Sequence, residues 1–193
     1  WSNEYRHGQG RMEYANGGLY VGEWKRGKRY GRGRMEYANG ELYNGNWEND
    51  RLHGQGTMTY ANQDVYDGGW ADGKRHGCGK LTYGEGKKYE GCWDRDCRSG
   101  QGMTTYLDGA VYEGEHRGGE RHGEGTMRYA NGCVYVGDWW VGERHGRGTQ
   151  KWPDGDVYRG AWVHDKRNGK GMMIYLSGGV HEGEWADNAF VKF

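Results

Sequence analysis

Proline is almost absent from this chain, with one residue in 193, and phenylalanine contributes only two. Since glycine does not recur at every third position either, a collagen-like helix is excluded. Long apolar runs are also missing: none approaches the ~18 residues a membrane-spanning helix needs, and no apolar signal-peptide core is visible. Cysteine is scarce, four residues at uneven spacing, which excludes a disulfide scaffold and reads as reduced cytoplasmic thiols. An excess of one charge is lacking too, because 27 basic residues balance 27 acidic ones, and no nucleic-acid partner is expected. Disordered chains are aromatic-poor and carry high net charge, whereas this one holds ten Trp and sixteen Tyr at zero net charge, so it should fold.

Glycine is what the chain has in excess, forty residues. Each glycine in a helix interior costs roughly 1 kcal/mol relative to alanine, so a helical protein is ruled out on propensity. With few Leu or Ile beside the Trp and Tyr, any core must be aromatic. The chain begins at Trp1 rather than Met and is expected to be part of a longer protein.

Self-similarity settles the architecture. A tyrosine two residues before a glycine recurs at 20, 43, 66, 89, 112, 135 and 158, a constant step of 23. Tryptophan follows the same interval at 1, 24, 47, 70, 93, 139, 162 and 185, and a Gly-x-Gly pair runs from Gly8/Gly10 through Gly31/Gly33 to Gly169/Gly171. Full repeats span 20–42, 43–65, 66–88, 89–111, 112–134, 135–157 and 158–180, with partial repeats at 1–19 and 181–193. Within the first full repeat Tyr20, Gly22 and Trp24 alternate with Val21, Glu23 and Lys25; beyond a charged turn, Gly31, Gly33, Met35 and Tyr37 alternate with Arg32, Arg34 and Glu36. Both runs have the period of two that marks a strand. The turn Arg26 to Arg29 and the Ala38-Asn39-Gly40 connection supply the residues that tight reversals require. Each repeat is therefore a β-hairpin with rings and glycines on one face and charges on the other. A lone hairpin is only marginally stable, so each must stack on the next. The expected fold is all-β: an elongated, single-layer, twisted antiparallel sheet, a solenoid-like rod.

The run Tyr-Val-Gly-Glu-Trp-Lys-Arg-Gly-Lys-Arg-Tyr-Gly-Arg-Gly (20 to 33) and Tyr-Ala-Asn-Gly (37 to 40) resemble the MORN repeat, the membrane occupation and recognition nexus motif. The resemblance covers the whole chain. It implies a single-layered, twisted sheet with an aromatic-lined groove. Arrays made only of such repeats resemble the cytoskeletal MORN scaffolds of apicomplexan and kinetoplastid protists. That implies a non-enzymatic scaffold of the membrane-associated cytoskeleton, recruiting cytoskeletal protein partners in cell division.

Several surfaces follow as candidates. Tyr20, Trp24, Tyr37, Tyr43, Trp47, Tyr60, Tyr66, Trp70, Tyr135, Trp139, Tyr158 and Trp162 are expected to line a groove for a partner peptide or helix, against the alternative that they are simply core. Lys25, Arg26, Lys28, Arg29, Arg32 and Arg34 crowd one hairpin and could contact anionic phospholipid at ~1 kcal/mol per residue, against the alternative of a solvated mixed-charge face. The C-terminal segment with Trp185, Phe190, Val191 and Phe193 is an apolar sheet edge expected to pair with a second copy, giving a homodimer. Between 84 and 116 the repeat frays, with Lys88, Ser99, Thr104 and His116 in substituted positions, which suggests a joint. Cys78, Cys92, Cys97, Cys133 and His116 have ligand chemistry but no C-x2-C spacing; no intrachain metal or cofactor is expected from them, and zinc only between two chains. His7, His53, His76, His122 and His145 recur before Gly-x-Gly as a turn feature, so no catalytic constellation is expected. Trp140, beside Trp139 on the polar face, is a candidate contact residue.

Overall fold

Period-two alternation broken by glycine-bearing turns leads to hairpins, and the computed structural model, which describes residues 5–192, contains no helix among them. The chain divides into two compact units, residues 1–97 and 98–193, a division inside the frayed stretch. The first unit holds β1 (Gly8–Glu13), β2 (Leu19–Lys25), β3 (Lys28–Glu36), β4 (Leu42–Glu48), β5 (Arg51–Thr59), β6 (Val65–Ala71), β7 (Lys74–Thr82) and β8 (Lys88–Asp94). The second is built from β9 (Cys97–Thr105), β10 (Val111–Arg117), β11 (Glu120–Arg128), β12 (Val134–Trp140), β13 (Glu143–Lys151), β14 (Val157–Val163), β15 (Lys166–Ile174), β16 (Val180–Ala186) and β17 (Ala189–Lys192). Within each unit every strand pairs antiparallel with the next in sequence, so each is an open single-layer sheet of consecutive hairpins.

Two kinds of turn connect the strands. The two-residue reversals put both central residues in the left-handed region, as at Arg26 (φ 51°) and Gly27 (φ 79°), the geometry that matches strand twist. The longer Tyr-Ala-Asn-Gly turns close when the Tyr37 amide donates to the Glu41 carbonyl at 2.8 Å and the Gly40 amide to the Tyr37 carbonyl at 2.9 Å. Asn39 Oδ1 then accepts from the Glu41 amide at 3.2 Å, the local bond that makes Asn a turn residue.

The Gly-x-Gly pair has two distinct duties. Gly22 faces Gly33, yet Trp24 faces Arg29, so the ladder carries a bulge opposite Glu23. Gly31 sits in that bulge at φ 63°, and its counterparts Gly54, Gly77 and Gly146 at 61°, 73° and 62°. Gly33 serves the core: the ring and hydroxyl of Tyr20 lie on its backbone where a Cβ would otherwise stand. Gly22 and Gly33 are also so close across the ladder that a side chain on Gly22 would strike the Gly33 Cα.

Because the bulge keeps parity, Arg29 lands on the ring-bearing face rather than in a solvated turn. Tyr20, Tyr43, Tyr66 and Tyr89, Trp24, Trp47, Trp70 and Trp93, with Met35, Met58 and Leu81, form the core of the first unit. Tyr112, Tyr135 and Tyr158 with Trp139, Trp162 and Trp185 form that of the second.

The two glycine roles differ in their sensitivity to substitution. In denaturant melts, Gly56→Ala, which forces a Cβ into Tyr43, is expected to destabilise by about 3 kcal/mol or more. Gly40→Ala, with open space around it but φ +87°, should cost about 1 kcal/mol.

Candidate functional site

On the ring-bearing face, the core tyrosines are fixed by a hydrogen bond and by edge-on ring contacts. The Tyr20 hydroxyl donates to the Glu23 carbonyl at 2.9 Å, and its ring meets Trp24 of its own strand and Trp47 of the next repeat edge-on, at 5.1 and 5.4 Å between centroids. Trp47 Nε1 donates back to the Gly33 carbonyl at 3.2 Å. The second unit repeats this: Tyr135 OH to the Asp138 carbonyl at 2.9 Å, with Trp162 Nε1 to the Gly148 carbonyl at 3.2 Å. Desolvation pushes the Tyr20 and Tyr158 phenols up to about 12, and those of Tyr43, Tyr66, Tyr112 and Tyr135 further.

Over these rings lies a row of arginines that sequence reading missed. Arg29 places its guanidinium 4.1 Å from the Trp47 centroid and bonds Asp50 Oδ1 through Nε at 3.1 Å. Arg75 does the same with Trp93 (4.3 Å) and Asp96 (3.2 Å), and Arg144 with Trp162 (4.3 Å) and Asp165 (2.8 Å). Cation–π stacking and a carboxylate together explain why a charge is tolerated against the core. The signal was present, as Arg at 6, 29, 75, 98, 121, 144 and 167 shares the 23-residue step, with Leu52 in the remaining slot.

The expected groove rings therefore divide. Tyr20, Trp24, Tyr43, Trp47, Tyr66, Trp70, Tyr135, Trp139, Tyr158 and Trp162 are buried core, covered by their neighbours and by Arg or, over Tyr43 and Trp70, by Leu52; of them only Trp162 also borders one of the cavities described below. Tyr37 and Tyr60 are half-buried, and they belong to a row with Tyr14 and Tyr83 in the first unit. Tyr106, Tyr129, Trp152 and Tyr175 continue the same sequence position in the second. Beside this row lie shallow cavities. One of about 390 Å³ is lined by Tyr60, Ala61, Arg75 and Leu81, and another of about 310 Å³ by Tyr129, Arg144, Trp152 and Trp162.

Of the basic cluster, Arg29 is engaged in the stack just described and is not free for lipid. Arg34 pairs with Glu36 at 2.8 Å and Lys25 Nζ lies 4.5 Å from the Tyr30 ring, while Arg26, Lys28 and Arg32 are exposed. At the other end, Trp185 is core, bonded to the Gly171 carbonyl at 3.1 Å, and Phe190 packs on His181 and Trp185. Val191 is exposed, and Phe193 lies outside the described residues. Trp140 is exposed, and its ring lies tilted against His122 with centroids 4.6 Å apart.

The zinc candidates have separate settings. Cys78 and Cys92 face each other across β7 and β8, Cys97 is exposed, Cys133 is buried, and no three His, Cys, Asp or Glu side chains gather as a metal site among the described residues. His116 fills the tryptophan slot, 4% exposed, edge-on to Tyr112 at 5.1 Å. Burial first, and then the charge of Arg98, push its pKa down to about 4. The neutral ring is thus the folded form, and its contribution is present above the ordinary value of ~6.5 and lost as pH falls toward 4. Chemical denaturation at pH 8 and pH 5 is expected to show a His116-dependent loss of about 2 kcal/mol, absent from His116→Trp.

The repeat matches the MORN repeat family model at residues 1–19, 20–41, 43–65, 66–88, 89–111, 112–134, 135–157 and 158–180. Among curated proteins none matches the sequence significantly. Among solved structures, the chain is similar to the SAS-4 (dCPAP) TCP domain of Drosophila melanogaster, solved in complex with a proline-rich motif of Ana2 (dSTIL). That match has 16% identity and a TM-score of 0.50, covering 92% of this chain and 90% of that one. The CPAP G-box domain matches at 13% identity and a TM-score of 0.38, covering 93% and 100%. Eight successive family matches leave almost none of the sequence outside them, and the chain belongs to the MORN repeat family.

Proposed function

We propose that this chain is a non-enzymatic scaffold that binds protein partners through the half-buried aromatic row, and that its ligands are extended, proline-rich segments. One observation carries the reading. Equivalent rings recur every second strand, and at ~4.8 Å per strand they stand about 9.6 Å apart. A polyproline II helix makes one turn of three residues in about 9.3 Å, so such a segment lying across the strands would offer one side chain per turn to successive rings. The cavities beside Tyr60 and Trp152 give those side chains somewhere to go. The fold similarity to the SAS-4 TCP domain, whose complex holds a proline-rich motif, supports the same ligand class.

The unbroken array's likeness to cytoskeletal MORN scaffolds supports a place in the membrane-associated cytoskeleton, in the cytoplasm, and a role in cell division. Self-association through the C-terminal β17 and its exposed Val191 would give the scaffold two copies of the row. A second reading, attachment to anionic phospholipid, rests on the exposed Arg26, Lys28 and Arg32. Co-flotation with phosphoinositide liposomes should disappear with charge-removing substitutions there if that reading holds.

Peptide display on the folded chain tests the main proposal. Selected ligands are expected to be proline-rich, and Tyr60→Ala or Trp152→Ala should weaken them at least tenfold, about 1.4 kcal/mol, with the circular dichroism spectrum unchanged. Ligands without proline, or affinities indifferent to both truncations, would refute it.

A further inference from the structure

The opposite, polar face of the second unit carries a groove of about 750 Å³ between β13 and β16. Its floor is the sheet backbone at Gly148, Gly160, Gly171 and Gly183, flanked on this face by the side chains of the alternate residues. Arg147, Arg159 and Lys170 line it, and none of the three forms an ion pair among the described residues. Glu182 and Glu184 stand at its β16 side, with Lys170 opposite Glu184 in the ladder.

Other repeats show what this groove lacks. In the first full repeat the bulge exposes the Arg32 amide, and Glu23 Oε1 accepts from it at 3.0 Å. At the β13 edge of the groove, Asp138 Oδ2 accepts from the Arg147 amide at 2.8 Å. The corresponding pair in the groove is Ala161 and Lys170, so the carboxylate is missing from the chain at the position where three cationic side chains converge. The chain thus holds its own templates for the absent group: the equivalent place carries Glu23, Glu115, Asp138 and Glu184, with the carboxylate bonded to the amide at Glu23 and Asp138, and Asn46, Gly69 and Cys92 in the remaining repeats.

The geometry points to an acidic side chain of a partner protein as the occupant: a Glu or Asp from an extended segment takes the Lys170 amide as Asp138 takes that of Arg147. Arg147 and Arg159 supply the flanking charge. Glu182 and Glu184 fix the direction of the segment, favouring a basic residue on the β16 side of the acid. This site is on the face opposite the aromatic row, and either can fail without the other.

The test is an NMR titration of the full chain with a short peptide holding one glutamate followed two residues later by lysine. The Lys170 amide proton is expected to move downfield, saturating at about 1 mM peptide or below. Ala161→Glu should fill the place from within and weaken the peptide at least tenfold while leaving the fold intact, and Arg159→Ser should weaken it several-fold. The glutamine version of the peptide should leave the amide unmoved. An unchanged titration in Ala161→Glu, an equal response to the glutamine peptide, or an equal response to inorganic phosphate alone would overturn the assignment.

Discussion

A tyrosine ring laid flat on glycine backbone is the constraint from which the rest of this structure follows. A single-layer sheet has no second layer to cover its apolar face, so it must make a core from its own side chains folded back onto itself. Seven tyrosines, from Tyr20 to Tyr158, reach 0% exposure this way. The arrangement demands a bare backbone beneath each ring, which Gly33 and its counterparts provide, and an acceptor for each buried hydroxyl, which the carbonyl three residues on provides. Without that carbonyl a buried phenol would cost about 1–3 kcal/mol in lost hydration.

The same constraint couples neighbours. Trp47 and Trp70 each donate to the carbonyl of a glycine in the preceding repeat and place their rings against the preceding tyrosine, so a hairpin is completed only by the next one. Arginine closes the upper side, and its bond to the following turn, as from Arg75 to Asp96, ties guanidinium, ring and turn together. Departures show how much variation the scheme absorbs. Leu52 fills an arginine slot as buried hydrocarbon, Gln150 fills a methionine slot by accepting from Arg144 at 3.0 Å, and His116 fills a tryptophan slot as a neutral ring.

The strands, the turns and the ring-bearing face were legible because period two, a 23-residue step and the Asn-Gly turns each have one structural meaning. The bulge was not. Gly-x-Gly reads as steric relief at both positions, whereas only the pairing shows Gly31 held at positive φ while Gly33 lies under a ring. Missing the bulge misplaced Arg29, which looked like a turn residue and candidate lipid contact because Lys25, Arg26, Lys28, Arg32 and Arg34 surround it in sequence. Trp24 and Tyr20 looked like groove walls for a related reason: composition reveals that rings are plentiful, not which of two tyrosines per repeat is covered. The outer-face groove depended on an absence, Ala161 where Glu23 or Asp138 stands elsewhere, and its meaning needed the carboxylate-to-amide bonds of the other repeats.

The account is tested most directly by titrating phenolate absorbance alongside circular dichroism from pH 9 to pH 13. Burial raises Tyr20, Tyr43, Tyr66, Tyr112, Tyr135 and Tyr158, so the folded state holds them protonated and loses their contribution as pH climbs above ~10, the value of a free phenol. At least six of the sixteen tyrosines should stay un-ionised at pH 11 and then titrate together with the loss of β signal. Ionisation of all sixteen near pH 10 with the sheet spectrum intact would show that the rings do not lie on the glycines.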